Sequence, residues 1–196
     1  MLTAHPPADP TVVFHVKVAL GMVVSLAIAR LLTGAARFVQ HPARHKADVL
    51  HLTWALAMLV ALLHFWWFQY HLSDIGWRFE VFAFVMGYAV LCFVMCAVLF
   101  PDDIAEYAGY RDYFLSRRRW FFGMLAASMV FDAIDSVLKG REHFAALGIE
   151  YQVRLVAFGA LALAAAVTRN ERFHLAFAIG GLLYQLSWIA RRYDAI

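Results

Sequence analysis

The chain has 196 residues, of which 63% are hydrophobic and only 16% charged, with a formal net charge of +3. An ordinary soluble domain is about 45–50% apolar and about 25% charged, so this composition, with a mean hydropathy of +0.65, excludes a water-soluble globular domain. The small positive excess comes largely from arginines and lysines in predicted loops, as in many membrane proteins, and gives no ground for nucleic-acid binding.

Six apolar stretches stand out, at 11–33, 50–70, 79–100, 120–138, 149–168 and 173–190. Each has about the 20 residues that a helix rising about 1.5 Å per residue needs to cross a hydrocarbon core of about 30 Å. Short loops join them, so 1–196 is expected to form a single integral membrane domain, an all-α bundle of six transmembrane helices. The leading MLTAHPPADP lacks a basic region and a small-residue cleavage site, and reads as a polar leader, not a removable signal peptide.

The first predicted helix carries His15 and Lys17 near its start and Arg30 in its far half, where the guanidinium is expected to reach lipid headgroups. The second holds His51 and His64, with Trp67 and His71 on the face of His64. The third opens with Glu80 and contains Cys92 and Cys96, whose i, i+4 spacing on a regular helix is poorly suited to a disulfide. These cysteines are expected to pack in the core.

The loop that follows, PDDIAEYAGYRDYFLSRRR over 101–119, mixes acids, tyrosines and arginines. It is expected to contain a short interfacial helix in the headgroup zone, with Arg117, Arg118 and Arg119 contacting lipid phosphates or a partner. Its acids, Asp102, Asp103, Glu106 and Asp112, read as solvated, so no metal site is expected.

The fourth helix is the most informative, because Asp132 and Asp135 stand at i and i+3 inside the apolar run from Trp120 to Leu138. A carboxylate near mid-membrane costs about 2.5–3.5 kcal/mol on insertion scales, so it normally faces a partner or a water-filled cavity. Ser128, Asp132, Asp135 and Lys139 fall on one helical stripe. On the fifth helix the uncharged segment from Leu155 to Val167 spans only about 20 Å. Arg154 is therefore drawn into the membrane zone, to snorkel or to pair with Asp132 or Asp135. The same helix is rich in Gly159, Ala160, Ala164, Ala165 and Ala166, which lets neighbouring backbones approach closely. On the sixth, His174, Gly181, Gln185, Trp188 and Arg192 lie near one stripe.

Alternating helix directions bring many of these polar groups into the leaflet nearer the two termini. Asp132, Asp135, His64, Lys17, Arg154 and Gln185 are the expected ion, proton or substrate site. Basic residues are more numerous on the opposite face, through Arg37, Arg44, Lys46, Arg111, Arg117 to Arg119, Arg169 and Arg172. Both termini are therefore expected to be non-cytoplasmic, in a plasma membrane or a bacterial inner membrane. The lipid bilayer is the expected partner, with a homo-oligomer left open. A faint similarity between LAIARLLTGAARF (26–38) and DAIDSVLKGREHF (132–144) would imply two inverted three-helix halves.

The spacing of His51 and His64 on one helix resembles that of paired haem ligands in membrane b-type cytochromes. A bundle of that kind needs a second helix with a matching pair, and none is present, so no cofactor is expected. A single haem would have to use His15 with His64, or His51 with His174. No H-E-x-x-H, P-loop, G-x-S-x-G or C-x-x-C pattern occurs, which weighs against an enzyme. The leading expectation is a small channel or transporter handling protons, a cation or a small polar solute. The alternatives are an intramembrane enzyme acting on a lipid-like substrate through His64 and Asp132, and a sensor or assembly module whose buried charges only fix packing.

Overall fold

The computed structural model describes residues 9–44, 46–69 and 77–193. The described residues form an all-α protein with helices α1 (Pro10–Gln40), α2 (Val49–Phe68), α3 (Phe79–Leu99), α4 (Tyr110–Leu138), α5 (Arg141–Ala146), α6 (Gly148–Val167) and α7 (Glu171–Tyr193). All but α5 are long and apolar enough to cross a membrane, and the chain is a polytopic membrane protein with six candidate spans. The leader residues 1–8 and His71 lie outside the described residues.

Local sequence explains where the helices begin. The Asp9 carboxylate accepts from the Thr11 amide at 2.8 Å, with Pro10 in the first turn of α1. Asp48 caps α2 by accepting from the His51 amide at 3.0 Å. The Asn170 side chain accepts from the amides of Arg172 and Phe173 at the start of α7. Between α4 and α6 the chain turns through Gly140 (φ +118°) and Gly148 (φ +78°), conformations that glycine adopts without the penalty of a Cβ.

One expectation needs correcting. The 101–119 segment holds no separate interfacial helix, because residues 110–119 are the first turns of the 29-residue α4. Tyr110, Tyr113, Phe114, Arg118, Phe121 and Phe122 are buried at i, i+3 and i+4 spacing, so one inward stripe runs through the whole segment. The short helix is α5, beyond the other end of α4.

α1 packs on α3, α2 on α7, α4 on α6, and α3 on α4. Trp54 of α2 anchors the centre, with the rings of Phe121, Phe122 and Phe177 at centroid distances of 5.4, 5.0 and 5.2 Å. Gly34 of α1 faces the Phe100 ring so closely that an added Cβ would collide with it. Cys92 and Cys96 are free and buried. This arrangement does not reproduce the two-fold repeat. The α1–α3 packing has no backbone-close counterpart between α4 and α7, which meet through the rings of Phe114 and Phe122 against His174. Gly34 lies inside a helix, whereas its would-be equivalent Gly140 lies between α4 and α5 and caps the start of α5.

Candidate functional site

The two acids of α4 have different fates. Asp135 pairs with Lys139 one turn further along the same helix, at 2.6 Å, and neither side chain is more than 1% exposed. The Lys139 ammonium also donates to the Phe68 carbonyl at 3.2 Å and lies 3.9 Å from the centroid of that residue's ring. The Gln69 amide donates to the same Asp135 oxygen at 3.4 Å. The result is a buried polar knot between α4 and the end of α2, in which Asp135 Oδ1 and Gln69 Oε1 have no hydrogen-bond partner among the described residues.

Asp132 instead pairs across helices. Its carboxylate accepts from Arg154 Nη2 on α6 at 2.5 Å, with side-chain exposures of 14% and 15%. The guanidinium lies 4.9 Å from the centroid of Tyr151 and 5.9 Å from that of Trp188, a placement that favours a cation. The Tyr151 hydroxyl donates to the Asp132 backbone carbonyl at 3.0 Å and lies 2.6 Å from Ser136 Oγ. Of the two options for Arg154, pairing is the one realised.

This pair forms part of the wall of a cavity of about 140 Å³ lined by α2, α3, α4, α6 and α7. Most of the lining is apolar or aromatic, and Asp132, Arg154, His64, Tyr184 and Gln185 are polar groups among it. Of the predicted site residues, the cavity therefore gathers Asp132, Arg154, His64 and Gln185. Asp135 is not in its lining, and neither is Lys17, which is half-buried on α1. Tyr151 and Ser136 were not among the predicted residues. Their signal was present as i, i+3 and i, i+4 spacing from Arg154 and Asp132.

Below the cavity, toward the chain termini, Glu150 takes two hydrogen bonds from Arg191 at 2.6 and 3.0 Å and one from the Tyr184 hydroxyl at 3.2 Å. These contacts tie α6 to α7. At the other end, Arg30 departs from the expected reach toward headgroups, because the loop after α3 presents acceptors nearer to it. It donates to the Phe100 carbonyl at 2.8 Å and to Asp102 at 2.7 Å. That hydrogen bond and the adjacent positive charge hold the Asp102 carboxyl below its ordinary pKa. Arg37 donates to the Pro101 carbonyl at 2.8 Å, and Arg111 bridges Asp48 and Glu171 at 2.8 and 3.0 Å.

Of the three arginines assigned to lipid or partner contact, Arg117 and Arg119 are exposed, with Arg117 donating to the Tyr107 hydroxyl at 2.6 Å. Arg118 departs from that assignment. It is 6% exposed, because it shares the inward stripe of Phe114 and Phe122, and it donates to the carbonyls of Leu115 and Val167.

The histidines suggested for haem each have their own surroundings. His51 Nε2 meets the Leu99 carbonyl at 2.7 Å beside Phe100 and Tyr110. His174 Nε2 meets the Thr168 carbonyl at 3.1 Å and stacks on Phe122. His15 contacts the Thr11 carbonyl within α1, whereas His64 lines the cavity. Among the described residues no group of three or more His, Cys, Asp or Glu side chains is placed to hold a metal ion. The chain matches no protein-family model, no curated protein and no solved structure.

Proposed function

We propose that the protein is a small membrane transporter or channel and that the cavity is where it receives its solute. The observation that carries this reading is the Asp132–Arg154 pair, drawn from two helices and set in the cavity wall. Ionisable groups within spans are costly and commonly mark a substrate, ion or proton path. Asp132 is the group assigned to proton or cation coupling, Arg154 sets its charge state, and His64 and Gln185 supply further polar contacts to the solute. The basic bias of the 34–49, 101–119 and 169–172 segments supports a cytoplasmic position for that face, with both termini outside. The buried intrahelical Asp135–Lys139 pair supports a purely architectural role for the second acid.

The test is flux in reconstituted vesicles under imposed proton or alkali-cation gradients, measured against protein-free vesicles. Wild-type flux should be lost in Asp132→Asn and retained in the double variant Asp135→Leu/Lys139→Met. Folding is checked by circular dichroism and monodispersity. Unchanged flux in folded Asp132→Asn removes the assignment, and a wild type indistinguishable from empty vesicles removes proton and cation coupling altogether.

A further inference from the structure

We infer that the cavity binds an uncharged apolar molecule about the size of one aromatic ring and carrying a carbonyl-type hydrogen-bond acceptor. This names a solute class for the cavity and rests on its reading as the solute site. Size is the first constraint. The cavity measures about 140 Å³, and an engineered apolar cavity of about 150 Å³ takes up benzene. The walls are the second. Trp54, Phe65 and Phe177 alternate with Met58, Met95 and Met129, and methionines adapt to ring edges through a polarisable sulfur and three rotatable bonds.

Charge is the third constraint. Asp132 and Arg154 neutralise each other, so a charged solute would bring an uncompensated ion among apolar walls, which is strongly disfavoured. Hydrogen bonding supplies the remaining selectivity. A guanidinium offers five N–H donors; among the described residues Arg154 gives one hydrogen bond, from Nη2 to Asp132, and its Nε is buried without a partner. The residue lines the cavity and its side chain keeps 15% exposure, so a ligand acceptor can take a further N–H without breaking the ion pair. A molecule of this class dissolves in the bilayer and needs no aqueous path.

The test is equilibrium binding of radiolabelled acetophenone, ethylbenzene and benzoate to the full chain in lipid nanodiscs, with empty nanodiscs subtracted. Acetophenone should bind saturably at one site, about tenfold more tightly than ethylbenzene, the value of one charge-assisted hydrogen bond at the low end of its range. Benzoate should not bind. The double variant Asp132→Leu/Arg154→Met removes both charges together and should erase the tenfold preference while retaining ethylbenzene. Ala61→Phe, which fills the cavity from α2, should abolish both, and Ala57→Leu serves the same purpose if Ala61→Phe does not fold. The inference is overturned by absent saturable acetophenone binding, by benzoate binding more tightly, or by acetophenone binding that survives the filling variants and so reflects surrounding lipid alone. Binding without any flux would remove the transport reading and leave this inference standing. Flux without binding would do the reverse.

Discussion

Removing one member of the Asp135–Lys139 pair should be among the most damaging single changes in this protein, and removing both should be tolerated. The two side chains meet at 2.6 Å with at most 1% exposure. Lys139→Met therefore leaves a carboxylate in an interior that water cannot reach. Breaking a buried pair in this way costs about 3–5 kcal/mol, because the remaining charge is uncompensated. The same substitution removes the ammonium from the Phe68 ring and carbonyl, which places the effect in that range and not below it. In Asp135→Leu/Lys139→Met both charges are gone, and apolar replacement of a buried pair is often neutral or stabilising by about 1–4 kcal/mol. Against that gain stands the Gln69 amide, which loses its carboxylate acceptor, at a cost of about 1–3 kcal/mol. The double variant should thus lie within about 3 kcal/mol of wild type and above the single variant. Unfolding by SDS titration in mixed micelles, followed by near-ultraviolet circular dichroism, measures all three. A loss below about 1 kcal/mol in Lys139→Met would match a solvent-exposed pair and refute the reasoning.

Gly34→Ala should destabilise by about 1–3 kcal/mol, as overpacking does, because the new methyl meets the Phe100 ring. That loss should appear in thermal unfolding even though alanine is the better helix former by about 1 kcal/mol; an unchanged midpoint would mean that Phe100 yields freely. Arg30 lowers the pKa of Asp102 in the folded chain, so the stabilisation is present above the unfolded carboxylate value of about 3.9 and is lost as pH falls through the lower folded value. Asp102→Asn should weaken the acid dependence of stability and leave its dependence near neutral pH unchanged, and an acid limb identical to wild type would exclude the contact as its source.

The six spans were legible because a bilayer imposes a length of about 20 apolar residues on each helix. The start of α4 was not, because its first turns alternate exposed charges with a buried stripe of Tyr110, Tyr113, Phe114 and Arg118. A hydropathy average reads such a segment as loop. Depth along each helix put Asp132 and Arg154 in one leaflet, where they pair, and His64 and Gln185 line the same cavity. Depth alone could not bring Lys17 into the lining, because angular position on α1 and the choice of helix neighbours are tertiary facts. Arg30 and Arg118 illustrate the same limit. Snorkelling is the default for an arginine near a helix end, and a carbonyl or carboxylate presented by a neighbouring segment overrides it.

Asp132 and Asp135 differ in one respect that bears on any transport cycle. Three residues apart on a helix of 3.6 residues per turn, they point about 60° away from each other. Asp135 is thereby turned to a partner on its own helix, and Asp132 to a partner on α6. A shift of α6 relative to α4 leaves the intrahelical pair untouched, since Asp135 and Lys139 move together. The same shift directly lengthens or breaks the Asp132–Arg154 contact, whose guanidinium also rests on Tyr151 and Trp188 of α6 and α7. Motion of α6 against α4 can therefore couple to the charge state of only one of the two acids. That acid is the one in the cavity wall, which is why the flux experiment turns on Asp132 and the stability experiment on Asp135.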